Sequence, residues 1–183
     1  MMADWLLENL LVFLLIVAMS ATWRQLNLSA TSYMLLVVFL AIHEWGAHHK
    51  YADVPLGEWI KPIFQTNRNH FDRIVHFSFG LLLTWPLCEV FAHLTRLAQR
   101  WWPAIIALFA NLAFSALYEM LEFAVSQIVA PEIGTEFVGA QGDPWDAEKD
   151  MALALIGALV PLVIWIFTKP SASSQSSTPQ NSI

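Results

Sequence analysis

The stretch FDRIVHFSFGLLLTWPLCEVFAHL, residues 71–94, is apolar over most of its length and begins with a short group of ionisable residues. A helix needs about 20 residues to cross the roughly 30 Å hydrocarbon core of a bilayer. The stretch is that long, and a helix satisfies its own backbone hydrogen bonds, as a chain inside lipid must. We therefore predict that residues 71–94 form a membrane-spanning helix.

Four more stretches share this length and character: Trp5–Thr22, Leu28–Trp45, Trp101–Gln127 and Pro144–Phe167. The chain is 57% hydrophobic and only 13% charged, whereas soluble domains are about 45–50% apolar. A chain this short could not bury that excess in a water-exposed fold. We predict an all-α, polytopic transmembrane helical bundle of about five helices, with one domain over residues 1–168. The polar segment 169–183 is predicted to be a disordered tail.

Tryptophans are expected at both membrane interfaces of such a bundle. With five crossings, one face carries Trp5, Trp45 and Trp145, and the other carries Trp23, Trp101, Trp102 and Trp165. The same five predicted helices therefore place a belt of tryptophans at each membrane interface.

Charge and cysteine content exclude several classes of protein. The formal net charge is −6 and the nine Lys and Arg are scattered, so there is no basic patch to neutralise nucleic-acid phosphates. The single cysteine, Cys88, excludes an intrachain disulfide framework and a zinc site built from several cysteines. We expect no nucleic acid among the partners.

The ionisable residues converge on one membrane face. They are His43, Glu44, His48 and His49 in HEWGAHH, Asp72 and His76 in DRIVH, Glu119 and Glu122 in YEMLE, and Asp143, Asp146 and Asp150 in DPWDAEKD. An up-and-down path brings these four helix ends to the same face. Each ionisable side chain inside a bilayer costs roughly 2.5–3.5 kcal/mol on insertion scales, so such residues usually mark function.

The spacing of these residues indicates a metal site. Asp72 and His76 are i,i+4 and Glu119 and Glu122 are i,i+3, so each pair shares one helix face. Oxygen and imidazole donors without thiolates suit zinc, manganese, iron or magnesium. The predicted metal ligands are Glu119, Glu122, Asp146, Asp150, Asp72 and His48. The predicted catalytic residues are His43, Glu44 and His76.

Structural interpretations stay open beside this one. Asp143 and Asp146 also have the positions of N-terminal capping residues, as do Asn69 and Asp72. Glu119 and Glu122 could form a buried ion pair with Arg68 or Arg73, and His43 could be a satisfied core histidine.

Four ordered segments, HEWGAHHKY, DRIVHFSFG, ALYEMLEF and GAQGDPWDAEKDM, resemble the YjdF-like family of uncharacterised bacterial inner-membrane proteins. The resemblance covers residues 30–160. It implies a multi-pass protein of the bacterial inner (plasma) membrane and supplies no function. Because members of that family can carry an extra helix, a count of six is also open.

Three functions are compatible with the acidic and histidine cluster. The first is a metal-dependent enzyme acting on a lipid or a lipid-linked phosphate, where the metal activates water or polarises the phosphoryl group. The alternative is a proton- or ion-coupled small-solute transporter. The third is a non-catalytic membrane scaffold. Membrane lipid is the expected partner in each case.

Overall fold

The computed structural model describes Trp5, residues 9–95, Gln99, residues 101–128 and residues 141–168. Regular structure in these residues is entirely helical, in six helices: α1 (Leu10–Leu26), α2 (Ala30–His48), α3 (Pro55–Phe64), α4 (Phe71–Thr95), α5 (Trp101–Ile128) and α6 (Asp146–Thr168). The predicted fold class, an all-α membrane bundle, is confirmed. The predicted tail 169–183 and most of the loop before α6 lie outside the described residues.

Four of these helices, α2, α4, α5 and α6, are long and apolar enough to cross a membrane. Helix α1 is apolar but has only 17 residues. At its start the N–H of Phe13 donates to the Asn9 carbonyl (2.9 Å), and the N–H of Asn9 donates to the Trp5 carbonyl (3.0 Å). The first predicted span is thus a shorter apolar helix, and the other four predicted spans match crossing helices.

Helix α4 is central and packs against α2, α5 and α6. Its contact with α6 is made close by two glycines. A Cβ atom on Gly80 would lie 1.8 Å from the Ala154 carbonyl oxygen, and one on Gly157 would lie 2.2 Å from that of Phe77. Small residues at such positions let two membrane helices approach backbone to backbone.

The buried faces of α4, α5 and α6 form a common core. Its half remote from the ionisable cluster is apolar and contains Cys88, Ala104, Ala107, Leu162 and Trp165. Trp165 is only 4% exposed and packs against Trp85 at 5.2 Å between ring centroids. The sequence assigned Trp165 to an aromatic belt, but its ring completes the core instead, because it lies on the buried face of α6.

Helix α2 is attached to α4 at the end remote from the cluster by Glu89. The Glu89 carboxylate accepts hydrogen bonds from the Ser29 N–H (2.9 Å), the Ser32 hydroxyl (2.8 Å) and the Trp85 indole N–H (3.2 Å). A negative charge is favourable at a helix N-terminus, where backbone N–H groups lack partners. A residue of α4 therefore caps α2.

Helix α3 has ten residues and is too short to cross the membrane. Its exposed face carries Trp59, Ile63 and Phe64, while Gly57 is buried. A short helix with one exposed apolar face is suited to lie at the membrane interface.

Asn69 joins α3 to the start of α4. Its side-chain amide donates to the Val54 carbonyl (3.0 Å) and to Glu58 (2.9 Å), and its side-chain oxygen accepts from the Phe71 N–H (3.1 Å). The last of these bonds is the capping role that its position predicts. A Cβ on Gly57 would lie 1.6 Å from that oxygen, so the contact requires glycine.

Candidate metal centre

The site begins with side chains on α4 and α5. Asp72 and His76 lie one turn apart on α4, with 3.6 Å between the Asp72 Oδ1 and His76 Nε2 atoms. Glu119 of α5 reaches the same imidazole, and its Oε1 lies 3.2 Å from His76 Nε2. All three residues are at least nine-tenths buried. Two helices thus place two carboxyl groups around one histidine inside the bundle.

Helix α6 adds Asp150, which is 1% exposed. One donor atom each from Asp72, His76 and Asp150 lie within 4.8 Å of one another. Two ligands of one ion are usually about 3–4 Å apart, because each lies roughly 2.0–2.2 Å from the metal. The group therefore needs only small side-chain movements to bind a cation.

The Asp150 carboxyl is within hydrogen-bonding reach of the Asp146 carboxyl, and its buried Oδ1 atom has no donor partner among the residues that the structure describes. A buried carboxylate oxygen without a partner is costly unless a cation or a proton compensates it. Asp150 thus provides a specific reason to expect a ligand at this place.

Two arginines surround the acidic group. Arg68 is buried, forms an ion pair with Asp146 and lies 3.8 Å from Asp72. Arg73 contacts Asp143 at 2.6 Å and Asp146 at 3.7 Å. Asp146, Asp72 and Asp143 are thus partners of these two arginines.

Asp143 lies before α6 and forms a polar junction. The Lys149 ammonium group donates to both of its oxygens (2.9 and 2.6 Å), and the Trp145 N–H donates to Oδ1 (3.1 Å). The hydrogen bond from Lys149, then that from the Trp145 N–H, and the Arg73 guanidinium lower the pKa of Asp143 to about 2. The helix itself begins three residues later, at Asp146, so Asp143 caps the turn before α6.

The other residues predicted as metal ligands or catalytic groups differ in how they lie relative to Asp72, His76 and Asp150. Glu122 is buried one turn from Glu119 and within hydrogen-bonding reach of it. Asp146 is buried among the arginines. His48 is exposed with its ring against His49, and Glu44 is partly exposed. Neither His48 nor Glu44 belongs to the group of clustered donor atoms.

His43 is buried on α2 and has a partner that sequence reasoning missed. Its Nδ1 atom lies 2.8 Å from the Tyr51 hydroxyl. The chain turns back after α2 through positive φ angles at Lys50 and Tyr51, and the Tyr51 ring covers Gly46. Gly46 was the one hint in the sequence, because only a glycine leaves room for that ring.

A cavity of about 440 Å³ lies beside the cluster, between α1, α2, α4 and α5. Its walls are mainly aliphatic and aromatic side chains such as Leu15, Leu36, Phe79 and Leu87. Polar side chains gather at one end: His43, Tyr51, Asp72, His76, Ser115 and Tyr118. Ligand sites commonly combine apolar walls with a few polar groups in this way.

Asp72 and His76 belong both to the cavity wall and to the group of clustered donor atoms. A ligand in the cavity would therefore contact the same carboxylate and imidazole that could hold a metal. This shared position links the two features into one candidate site.

Comparisons with known proteins agree with the membrane fold. Residues 1–170 match the model of a family described as predicted membrane protein (DUF2238). The chain is 30% identical over 159 residues to the inner membrane protein YjdF of Escherichia coli (strain K12), covering 87% of this chain and 76% of that protein. None of the solved structures matches the chain. The prediction of a multi-pass inner-membrane protein is confirmed, and the chain belongs to the DUF2238 family of membrane proteins.

Proposed function

We propose that this protein is a membrane-embedded, metal-dependent enzyme that acts on a lipid or a lipid-linked phosphate. The observation that carries the proposal is the position of Asp72 and His76, which lie between an apolar cavity and a buried acidic group. A lipid presents the same two parts, an apolar chain and a polar head. The cavity suits the chain, and the clustered donors suit the head.

The proposed ligands of the metal are Asp72, His76 and Asp150. These are hard oxygen donors with one imidazole, which suits zinc, manganese, iron or magnesium. A divalent ion here would supply Lewis-acid polarisation of a phosphoryl or carbonyl oxygen, or a more acidic water. The charge of the ion would also compensate the buried Asp150 oxygen.

The other side chains have roles that follow from their positions. Glu119 Oε1 lies 3.2 Å from His76 Nε2, the same ring nitrogen that faces Asp72, so Glu119 is proposed as a further oxygen donor to the metal rather than as a group that orients the imidazole. His43 lines the cavity and is oriented by Tyr51, so it is the proposed general base for a substrate in the cavity. Arg73, which is 20% exposed and close to the acids, is the cation proposed to contact a phosphate.

The alternative of an ion-coupled transporter is less well supported. Carriers typically bind their substrate and coupling ion near the bilayer midplane, whereas the acidic group here lies at one end of the crossing helices. The core of α4, α5 and α6 is polar near the cluster and apolar at its other end, where Cys88, Leu162 and Trp165 pack together. The third alternative, a scaffold, would gain only about 0.6 kcal/mol from an average polar contact in a membrane. Both arguments favour the enzyme.

The test is the metal content of the protein purified in detergent, measured by mass spectrometry after zinc, manganese, iron and magnesium have been offered. We expect about one equivalent in the wild type, lost in Asp150→Asn and in Asp72→Asn. Glu44→Gln is the matched control, because Glu44 is a carboxylate on the same membrane face but outside the clustered group. It should retain the metal.

A wild type without metal, or an Asp150→Asn variant that retains it, would overturn the proposal. Each variant must elute as a monodisperse species, so that loss of metal is not confused with loss of the fold. Metal-loaded protein would then be incubated with prenyl diphosphate, phosphatidate and lysophosphatidate, and the release of phosphate would be measured. Release that requires both the metal and His43 would identify the substrate class.

A further inference from the structure

Three polar side chains lie deep in the membrane part of the bundle, outside the proposed metal group. They are Thr84 on α4 and Asn111 and Ser115 on α5, and none is more than 2% exposed. The Thr84 hydroxyl, the Ser115 hydroxyl and both side-chain atoms of Asn111 lack hydrogen-bond partners among the described residues. A buried polar group without a partner costs about 1–3 kcal/mol, so these side chains need an explanation.

The way α4 and α5 align brings Thr84 and Asn111 to the same depth in the membrane. His76 of α4 contacts Glu119 of α5, and the two helices are antiparallel. Thr84 follows His76 by two turns, and Asn111 precedes Glu119 by two turns, so Thr84 and Asn111 lie at the same level. That level is roughly 12 Å along α4 from His76, which is near the middle of the hydrocarbon core.

Ser115 lies one turn above Asn111, between this level and the acidic cluster. It also lines the end of the cavity that contains Asp72 and His76. Gly80, Ala154 and Ala158 lie at these two levels, where the backbones of α4 and α6 are in close contact. The polar atoms continue from the cluster along α5, and no long side chain of these three positions reaches them.

The next turn is different. One turn beyond Thr84 lies Cys88, packed with Ala104, Ala107, Leu162 and Trp165 in the apolar half of the core. Among the described residues in the core shared by α4, α5 and α6, the polar positions of this series therefore end in the middle of the membrane.

We infer that Ser115, Asn111 and Thr84 bind a short file of buried water molecules that extends from the acidic cluster to the middle of the membrane and ends there. A buried water typically makes about three hydrogen bonds to groups that would otherwise lack partners. Two hydroxyls and an amide offer both donors and acceptors for it. The three side chains carry no charge, so they suit water better than an ion.

The file would hold a small number of water molecules next to the site when a lipid chain fills the apolar cavity. Ser115 is the position where the two meet, next to His76 and Asp72. This role in hydrolysis rests on the proposed function, whereas the file itself does not. Its test needs neither a substrate nor a metal, so failure of one idea is distinguishable from failure of the other.

The test uses hydroxyl radicals produced from water by a short X-ray pulse, which oxidise side chains next to bound water. Thr84→Cys places a thiol at the predicted end of the file with little change in shape. Cys88 lies one turn further on the same helix face, is equally buried and belongs to the apolar layer. The two thiols in one molecule form a matched pair, read separately by mass spectrometry of α4.

We expect the thiol at position 84 to be oxidised at least several-fold faster than that of Cys88. Equal, slow oxidation of both would overturn the inference, since position 84 would then be dry. Adding Asn111→Leu to Thr84→Cys should slow oxidation at position 84 to the rate of Cys88, while exposed Trp59 keeps its rate. Unchanged fast oxidation at position 84 would show that Asn111 does not hold the water and would overturn its assignment.

Discussion

Arg68 and Asp146 form a buried ion pair between the segment that precedes α4 and the first residue of α6. Both side chains are less than a tenth exposed. The pair holds the start of α4, which carries Asp72 and His76, against the start of α6, which carries Asp150. The geometry of the candidate metal centre therefore depends on a contact between residues that are far apart in the sequence.

The first prediction concerns this pair. Arg68→Met should lower the free energy of unfolding by about 3–5 kcal/mol, because it removes the closest cation from two buried carboxylates and leaves Asp146 with only the more distant Arg73. Lys61→Met is the matched control, since Lys61 pairs with Glu58 in a much more exposed setting and should cost at most about 1 kcal/mol. Denaturant titration in detergent measures both. Equal effects of the two variants would contradict the prediction.

The second prediction concerns the cavity. Leu87→Trp should fill its apolar part and weaken binding of a lipid phosphate by at least about tenfold, equivalent to about 1.4 kcal/mol, with the metal content unchanged. Val163→Trp is the control, because Val163 is half exposed on the outside of α6. Native mass spectrometry of lipid-loaded protein measures the difference. A Leu87→Trp protein that binds as tightly as the control would exclude the cavity as the chain site.

The third prediction concerns the contact between α4 and α6. Gly80→Ala should destabilise the fold by about 1–3 kcal/mol or more, because the new methyl group would displace the Ala154 backbone. Ala152→Val, on the exposed side of α6, adds bulk where lipid can yield and should have little effect. Thermal unfolding in detergent separates the two. A Gly80→Ala protein as stable as the wild type would show that the helices do not approach as closely as described.

The fourth prediction concerns pH. The pKa of Asp143 is lowered from 3.8 to about 2, first by the hydrogen bond from Lys149. A lowered pKa in the folded state means that the ionised carboxylate stabilises the fold above pH 3.8, and that this contribution is lost as the pH falls towards 2. The stability difference between wild type and Asp143→Asn should therefore shrink over that interval. Unfolding titrations at several pH values test this, and a constant difference would refute it.

The sequence by itself determined the class of the fold, and it predicted that the ionisable residues share one membrane face. Helix length and apolar content are local properties, so stretches such as 71–94 could be assigned to the membrane without knowing their neighbours. The alternation of helix direction then placed Asp72, Glu119 and Asp150 at one membrane face. Spacing also showed that Asp72 and His76 share a side of α4.

Only the tertiary structure decided which of these residues meet. Asp150 lies within reach of Asp72 and His76 because Gly80 and Gly157 let α6 approach α4 closely. His48 and Glu44 have suitable side chains and lie at the right end of α2, but outside the clustered group. The rotation of one helix against another depends on side-chain packing between distant segments, which the periodicity of a single segment does not contain.

The partners of the ionisable groups were likewise decided by packing. Tyr51 reaches His43 through a turn with positive φ angles, and Arg68 pairs with Asp146 across the bundle. The cavity and the level shared by Thr84 and Asn111 arise from the same packing of distant helices. Sequence sets the length of each helix and the polarity of its faces because those are fixed within one segment, whereas the site forms only where several segments meet.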